Sequence, residues 1–262
     1  MNLNYVPLLQ IQRELQGLPR NYERFRQYLR TISPDGATLE LPPLGIMTPM
    51  GKDHVTALLD ALLALDADGV AARALAEASA QVANDSGDFK VALVVADDLM
   101  GGWTNRYDYE FTLRFGRGPA VRRRARPRWL KDLWLTGVLW GSEAATVRGV
   151  REAVLTVVYR AAYVQRNGSA RTLRDMLTQE GRVLRASACT GPVLDEEDIA
   201  YTREVLAPFL DAQDMRTCIE CLFGDAAGRT LGFTPRGLSP WAGLALALHD
   251  ARPELCAIEH TT

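Results

Sequence analysis

Residues 107–115 read Tyr-Asp-Tyr-Glu-Phe-Thr-Leu-Arg-Phe, and they alternate in polarity without a fault. Tyr107, Tyr109, Phe111, Leu113 and Phe115 fall on one side; Asp108, Glu110, Thr112 and Arg114 fall on the other. A period of two sustained this long predicts a strand with one solvated face. Just upstream, Phe89 to Ala96 (FKVALVVA) is short, β-branched and nearly continuous in apolar residues. That pattern predicts a strand covered on both faces. Leu133, Leu135, Val138, Leu139 and Trp140 place a third strand at 132–140.

On this reading the connections are too short for helical crossovers, so successive strands are expected to run antiparallel. The predicted fold is α+β: mostly helical, with a small, mainly antiparallel sheet of three or more strands (about 89–96, 107–115 and 132–140) covered by helices.

Working outward, the flanks read as helix. Residues 5–16 place Val6, Leu9 and Leu15 near one face, and Tyr22, Phe25, Tyr28, Leu29 and Ile32 follow the 3.6-residue period. Thr48-Pro49 has the chemistry of a helix start. Val55, Leu58, Leu59, Leu62 and Leu63 form the stripe after it, which Asp66 to Gly69 breaks or bends. Beyond the strands, 144–165 carries a valine stripe stopped by Asn167-Gly168. Thr172 and Asp175 have capping-box spacing, as do Thr217 and Glu220. Asp195 opens another helix, and Ser239-Pro240 starts a last one. The expected organisation is a single domain, 1–262, in which 1–85 forms a helical N-terminal lobe.

Composition narrows the function classes. The chain has 262 residues, 47% of them apolar, which is ample for a core. A formal net charge of −2 attracts neither nucleic acid nor an anionic membrane across the whole molecule. The N-terminus has no secretory pattern and no apolar run is long enough to span a bilayer. Four cysteines are too few for a disulfide scaffold. The expectation is a soluble, cytoplasmic protein.

The predicted topology gathers chemistry at one edge of the sheet. The first and third strands run the same way and end together. One is followed by Asp97-Asp98 and the other by Gly141-Ser142-Glu143. The segment 97–106 (DDLMGGWTNR) adds Trp103, Asn105 and Arg106. Carboxylates a few Å apart either share a proton or hold a cation. Asp97, Asp98 and Glu143 are thus the candidate catalytic groups, as an acid–base pair or as ligands of a divalent cation such as Mg²⁺. Trp103, Asn105 and Arg106 are the candidate substrate-binding groups, with Arg106 able to grip an anion such as a phosphate. The bland reading is ordinary turn and capping chemistry with Arg106 neutralising an aspartate, and a dimer interface on this edge is also compatible.

Two other motifs carry weaker signals. The segment 114–128 is rich in arginine, from Arg114 to Arg128, and offers the alternative function: a non-catalytic protein working through protein–protein or nucleic-acid contacts. Only three lysines occur in the chain, so this arginine richness follows the general bias. Cys218-Ile219-Glu220-Cys221 is a C-x-x-C. With Thr217 as cap, Cys218 would sit near the positive helix end with a lowered pKa. Redox, zinc (with His249 and Cys256) and structural readings all follow. His54 reads as a helix-start residue and His260 as tail.

Overall fold

A computed structural model describes residues 1–99, 105–116 and 133–251. It divides into two compact units, Met1–Gly168 and Ser169–Thr262.

The first unit holds the sheet. Strand β1 (Asn2–Tyr5) is followed by helices α1 (Leu9–Gly17) and α2 (Tyr22–Ile32), a 3₁₀ turn at Pro42–Ile46, then α3 (Asp53–Ala64) and α4 (Ala67–Ser79). Strand β2 (Asp88–Ala96), helix α5 (Arg106–Phe115), strand β3 (Trp134–Trp140) and helix α6 (Val147–Asn167) complete it. Asp66, in the left-handed region with φ 53°, makes the expected break between α3 and α4.

The sheet is three-stranded, in the order β1-β2-β3, and every pairing is parallel. This corrects the antiparallel expectation, and the error traces to 107–115. That segment is helix α5. Its alternating pattern also fits spacings of four, and those are what the structure uses. Glu110 pairs with Arg114 at 2.9 Å, and the Phe111 and Phe115 rings meet at 5.3 Å between centroids. Asn105 caps the start, accepting from the Tyr107 and Asp108 backbone N–H groups at 3.0 and 3.2 Å. With α5 helical, the link from β2 to β3 is long enough for the crossover that parallel strands need. The remaining strand is residues 2–5, just ahead of the segment expected to be helical.

The strand β2 is the centre of the sheet, and its run from Val91 to Ala96 is apolar and fully buried. Val91, Leu93 and Val95 enter one core with Val55, Leu59, Ala74 and Val154 of α3, α4 and α6. Ala92 and Val94 enter a second with Leu15, Tyr28 and Leu44 of α1, α2 and the 3₁₀ turn. A Cβ at Gly137 would lie 2.7 Å from Leu93 and 2.9 Å from the Ala153 carbonyl, so glycine permits the close seating of β3 against α6.

One buried polar contact completes the sheet. Strand β1 ends opposite Val91, leaving the farther part of β2 without a strand on that side. The fully buried Gln12 amide of α1 takes over there. It donates to the Val95 carbonyl at 2.7 Å and accepts from the Val95 N–H at 2.9 Å. A side chain thus satisfies both backbone groups that a longer β1 would have paired.

The second unit is helical over its described residues: α7 (Leu173–Ala186), α8 (Glu196–Leu206), α9 (Met215–Phe223), α10 (Asp225–Thr230) and α11 (Ala242–Asp250). The Thr172/Asp175 capping box is present on α7. The one expected at Thr217/Glu220 is not: Asp214 caps α9, accepting from the Thr217 N–H at 2.9 Å. Nor does Thr48-Pro49 start α3, whose first residue is Asp53.

Candidate functional site

The parallel strands β2 and β3 end at the same level, with Ala96 beside Trp140. The residues after them therefore share one rim, and open α/β sheets bind their ligands beyond the carboxyl ends of their strands. Asp97, Asp98, Ser142 and Glu143 lie there, and α5 brings Arg106 to them.

Asp98 is fully engaged. It accepts from the Ser142 N–H at 2.8 Å, shares a 2.6 Å hydrogen bond with the Ser142 hydroxyl, and pairs with Arg106 Nη1 at 3.2 Å. Arg106 Nη1 also reaches the Ser142 hydroxyl at 3.1 Å, and Nη2 pairs with Glu143. The guanidinium lies over the Trp140 ring, 5.1 Å from its centroid. Glu110, one turn along α5, accepts from the Trp140 indole N–H at 2.7 Å. One arginine thus bridges two carboxylates while an aromatic face supports it.

Asp97 belongs to a separate pair. Its Oδ1 lies 2.8 Å from His54 Nε2, and the same oxygen accepts from the Leu99 N–H at 3.1 Å. The aspartate side chain is 8% exposed and the imidazole 26%. His54 arrives on the second residue of α3, forty-three residues before its partner.

Of the six residues singled out from sequence, the structure joins Asp98, Arg106 and Glu143 in one ion-paired cluster and gives Asp97 to His54. Asn105 spends its side-chain oxygen on the α5 cap. Trp103 lies outside the described residues. His54, Glu110, Ser142 and Trp140 were not singled out. His54 carried no local signal, since nothing near it in sequence relates it to Asp97. Glu110 was masked by the strand reading, which put it on a solvated face.

The donor set does not resemble a divalent-cation site. Among the described residues, no three His, Cys, Asp or Glu side chains gather as metal ligands. Between Asp98 and Glu143 the positive charge is the Arg106 guanidinium, and Asp98 gives its oxygens to Ser142 and Arg106. Beside Glu143 a cavity of about 20 Å³, room for about one water, is lined by Leu58, Leu62, Leu139, Trp140, Thr146 and Val150.

In the cysteine motif the cap is not the one expected. With Asp214 as cap, Cys218 is four residues into α9 and not at its first position. Both thiols are free and buried, and burial pushes them up, Cys218 to about 11 and Cys221 to about 12. Burial thus works against the lowered pKa that redox chemistry needs. Glu220, between them, is buried and pairs with Arg236 at 2.8 Å. Cys256, His260 and residues 117–128 of the arginine-rich segment lie outside the described residues.

The fold and rim define a mostly helical protein with a three-stranded parallel sheet and a polar, ion-paired carboxyl edge. No protein-family model and no solved structure matches the chain. A 99-residue stretch is 30% identical to an uncharacterized protein, YjfC, of Bacillus subtilis (strain 168). The match covers 34% of this chain and 33% of that protein, so it spans about a third of the relative's length. Among the described residues, no helix is long and apolar enough to cross a membrane.

Proposed function

We propose that the carboxyl rim of the sheet binds a small polar molecule and that His54, oriented by Asp97, is its acid–base group. The 2.8 Å contact between His54 Nε2 and the buried Asp97 carboxylate supports this reading. A carboxylate on one ring nitrogen fixes the tautomer and leaves the other nitrogen, Nδ1, as the proton acceptor. Its place at the end of the central strand is where such sheets hold ligands. Among the described residues, four carboxylates (Asp97, Asp98, Glu110 and Glu143) and two guanidinium groups (Arg106 and Arg114) lie here. That balance favours a ligand bearing positive charge or N–H and O–H donors over a phosphate.

A thermal-shift screen of amines, guanidines, sugars, nucleotides and Mg²⁺ tests the reading. Ligands that raise the wild-type midpoint should lose their effect in His54→Gln and Asp97→Asn. Equal shifts in wild type and both variants would reject it.

The mutual satisfaction of Asp98, Arg106 and Glu143 supports a second reading, a non-catalytic protein that works through contacts. On that reading no small molecule shifts the midpoint, and binding to a protein or nucleic acid, weakened by salt, takes its place.

A further inference from the structure

The Arg106 contact has the parts of a guanidinium receptor. Trp140 presents an aromatic face at 5.1 Å. Asp98 and Glu143 grip the two terminal nitrogens, and the Ser142 hydroxyl lies 3.1 Å from Nη1. An indole face with two carboxylates and a hydroxyl is the chemistry that selects a planar cation. The receptor itself is well anchored. Trp140 ends β3 and is 2% exposed, and Asp98, 6% exposed, follows β2.

The occupant is held differently. Arg106 is the first residue of α5, and none of that helix's residues is buried. Two of its side chains reach the rim: Arg106 with Asp98, Ser142, Glu143 and the Trp140 ring, and Glu110 with the Trp140 indole. An element with no buried residue opens at lower cost than a buried strand such as β2.

From this juxtaposition we infer that Arg106 is an internal plug in a cation-binding site, and that α5 is the strap carrying it. The ligand is a small guanidinium compound that displaces Arg106 from Trp140, Asp98 and Glu143. This rests on the reading of the rim as a ligand site and names its ligand class and its self-inhibition. Because the plug is tethered, a free guanidinium competes against an effective concentration in the millimolar range. Wild type therefore binds weakly, and removal of the plug exposes the intrinsic affinity.

The test is chemical rescue of Arg106→Ala by ethylguanidinium chloride, with urea as neutral isostere and sodium chloride as ionic-strength control. Arg106→Ala should lower the thermal midpoint by about 5–10 °C, because it leaves carboxylates unpaired. Millimolar ethylguanidinium should restore much of that loss while urea and salt do not, and calorimetry should show binding on the order of tenfold tighter than to wild type. Adding Glu143→Gln to the variant should remove the rescue. Equal effects of urea and ethylguanidinium, or rescue that survives Glu143→Gln, would overturn the inference.

Hydrogen exchange on wild type covers the case in which Arg106→Ala does not fold. Saturating ethylguanidinium should speed exchange of the 106–116 amides and leave β2 protected; unchanged exchange in 106–116 rejects the plug. Repeating the rescue in Arg106→Ala/His54→Gln separates the two readings. Rescue there sustains the receptor whatever the fate of the His54 proposal, and its absence in both backgrounds rejects the receptor alone.

Discussion

The imidazole of His54, near the start of α3, lies 2.8 Å from the carboxylate of Asp97, just past the end of β2. The contact ties a helix on one face of the sheet to its carboxyl rim, and Asp97 is almost fully buried in making it. His54→Ala removes that partner from a buried carboxylate and should cost about 1–3 kcal/mol. His54→Gln keeps a donor and should cost less. Urea denaturation of both variants measures the difference; equal losses would show that the imidazole contributes packing and not the bond.

The Gln12 amide gives a second prediction. Gln12→Leu keeps the bulk but leaves the Val95 N–H and carbonyl without their partner in a fully buried place. Each stranded group costs about 1–3 kcal/mol, so the variant should lose several kcal/mol of stability. Denaturant midpoints at constant slope are the check, and a loss under about 1 kcal/mol would contradict the assignment.

Tyr5 and Asp68 form a half-buried pair, with the phenol donating to Oδ1 at 2.6 Å. Burial is the main cause raising both groups above their ordinary values. For Asp68 the folded state binds its proton more tightly than the unfolded state. The stability it contributes is complete below the unfolded carboxyl value and is lost as pH rises through the raised folded one. Asp68→Asn keeps an acceptor for Tyr5 and removes the buried charge. It should flatten that part of the pH–stability profile and match or exceed wild type at neutral pH. A profile as steep as wild type would show that Asp68 is not its source.

Thiol labelling addresses the C-x-x-C. In the native protein Cys189, which is partly exposed, should react with a thiol reagent well before the buried Cys218 and Cys221. The latter two should label only as fast as the second unit opens, and zinc should not protect them. Fast native labelling of Cys218 would restore the redox reading.

Much of the local structure was legible. The apolar run over 89–96 announced a strand covered on both faces, and β2 is the centre of the sheet. The Asn167-Gly168 stop holds: Gly168 follows α6 with φ 83°. The sequence also drew Asp98, Arg106 and Glu143 to one edge, although by way of a topology that is wrong. Two strands separated by an antiparallel one and two parallel neighbours both end at the same edge, so the placement survived the error.

Direction and partnership were not legible. Short alternating segments fit strand and helix alike, and 107–115 became helix through an Asn105 cap and pairs spaced by four. The Asn2–Tyr5 strand alternates over only four residues, too few to single it out; it is a strand because β2 offers it an edge. Local periodicity, caps and breaks follow from neighbours within about two turns, and the chain alone dictated those. The parallel register, the Gln12 bridge to Val95 and the pairing of His54 with Asp97 join residues more than forty positions apart. Those were decided by which surfaces could be buried together, a property of the assembled layers that no short window contains.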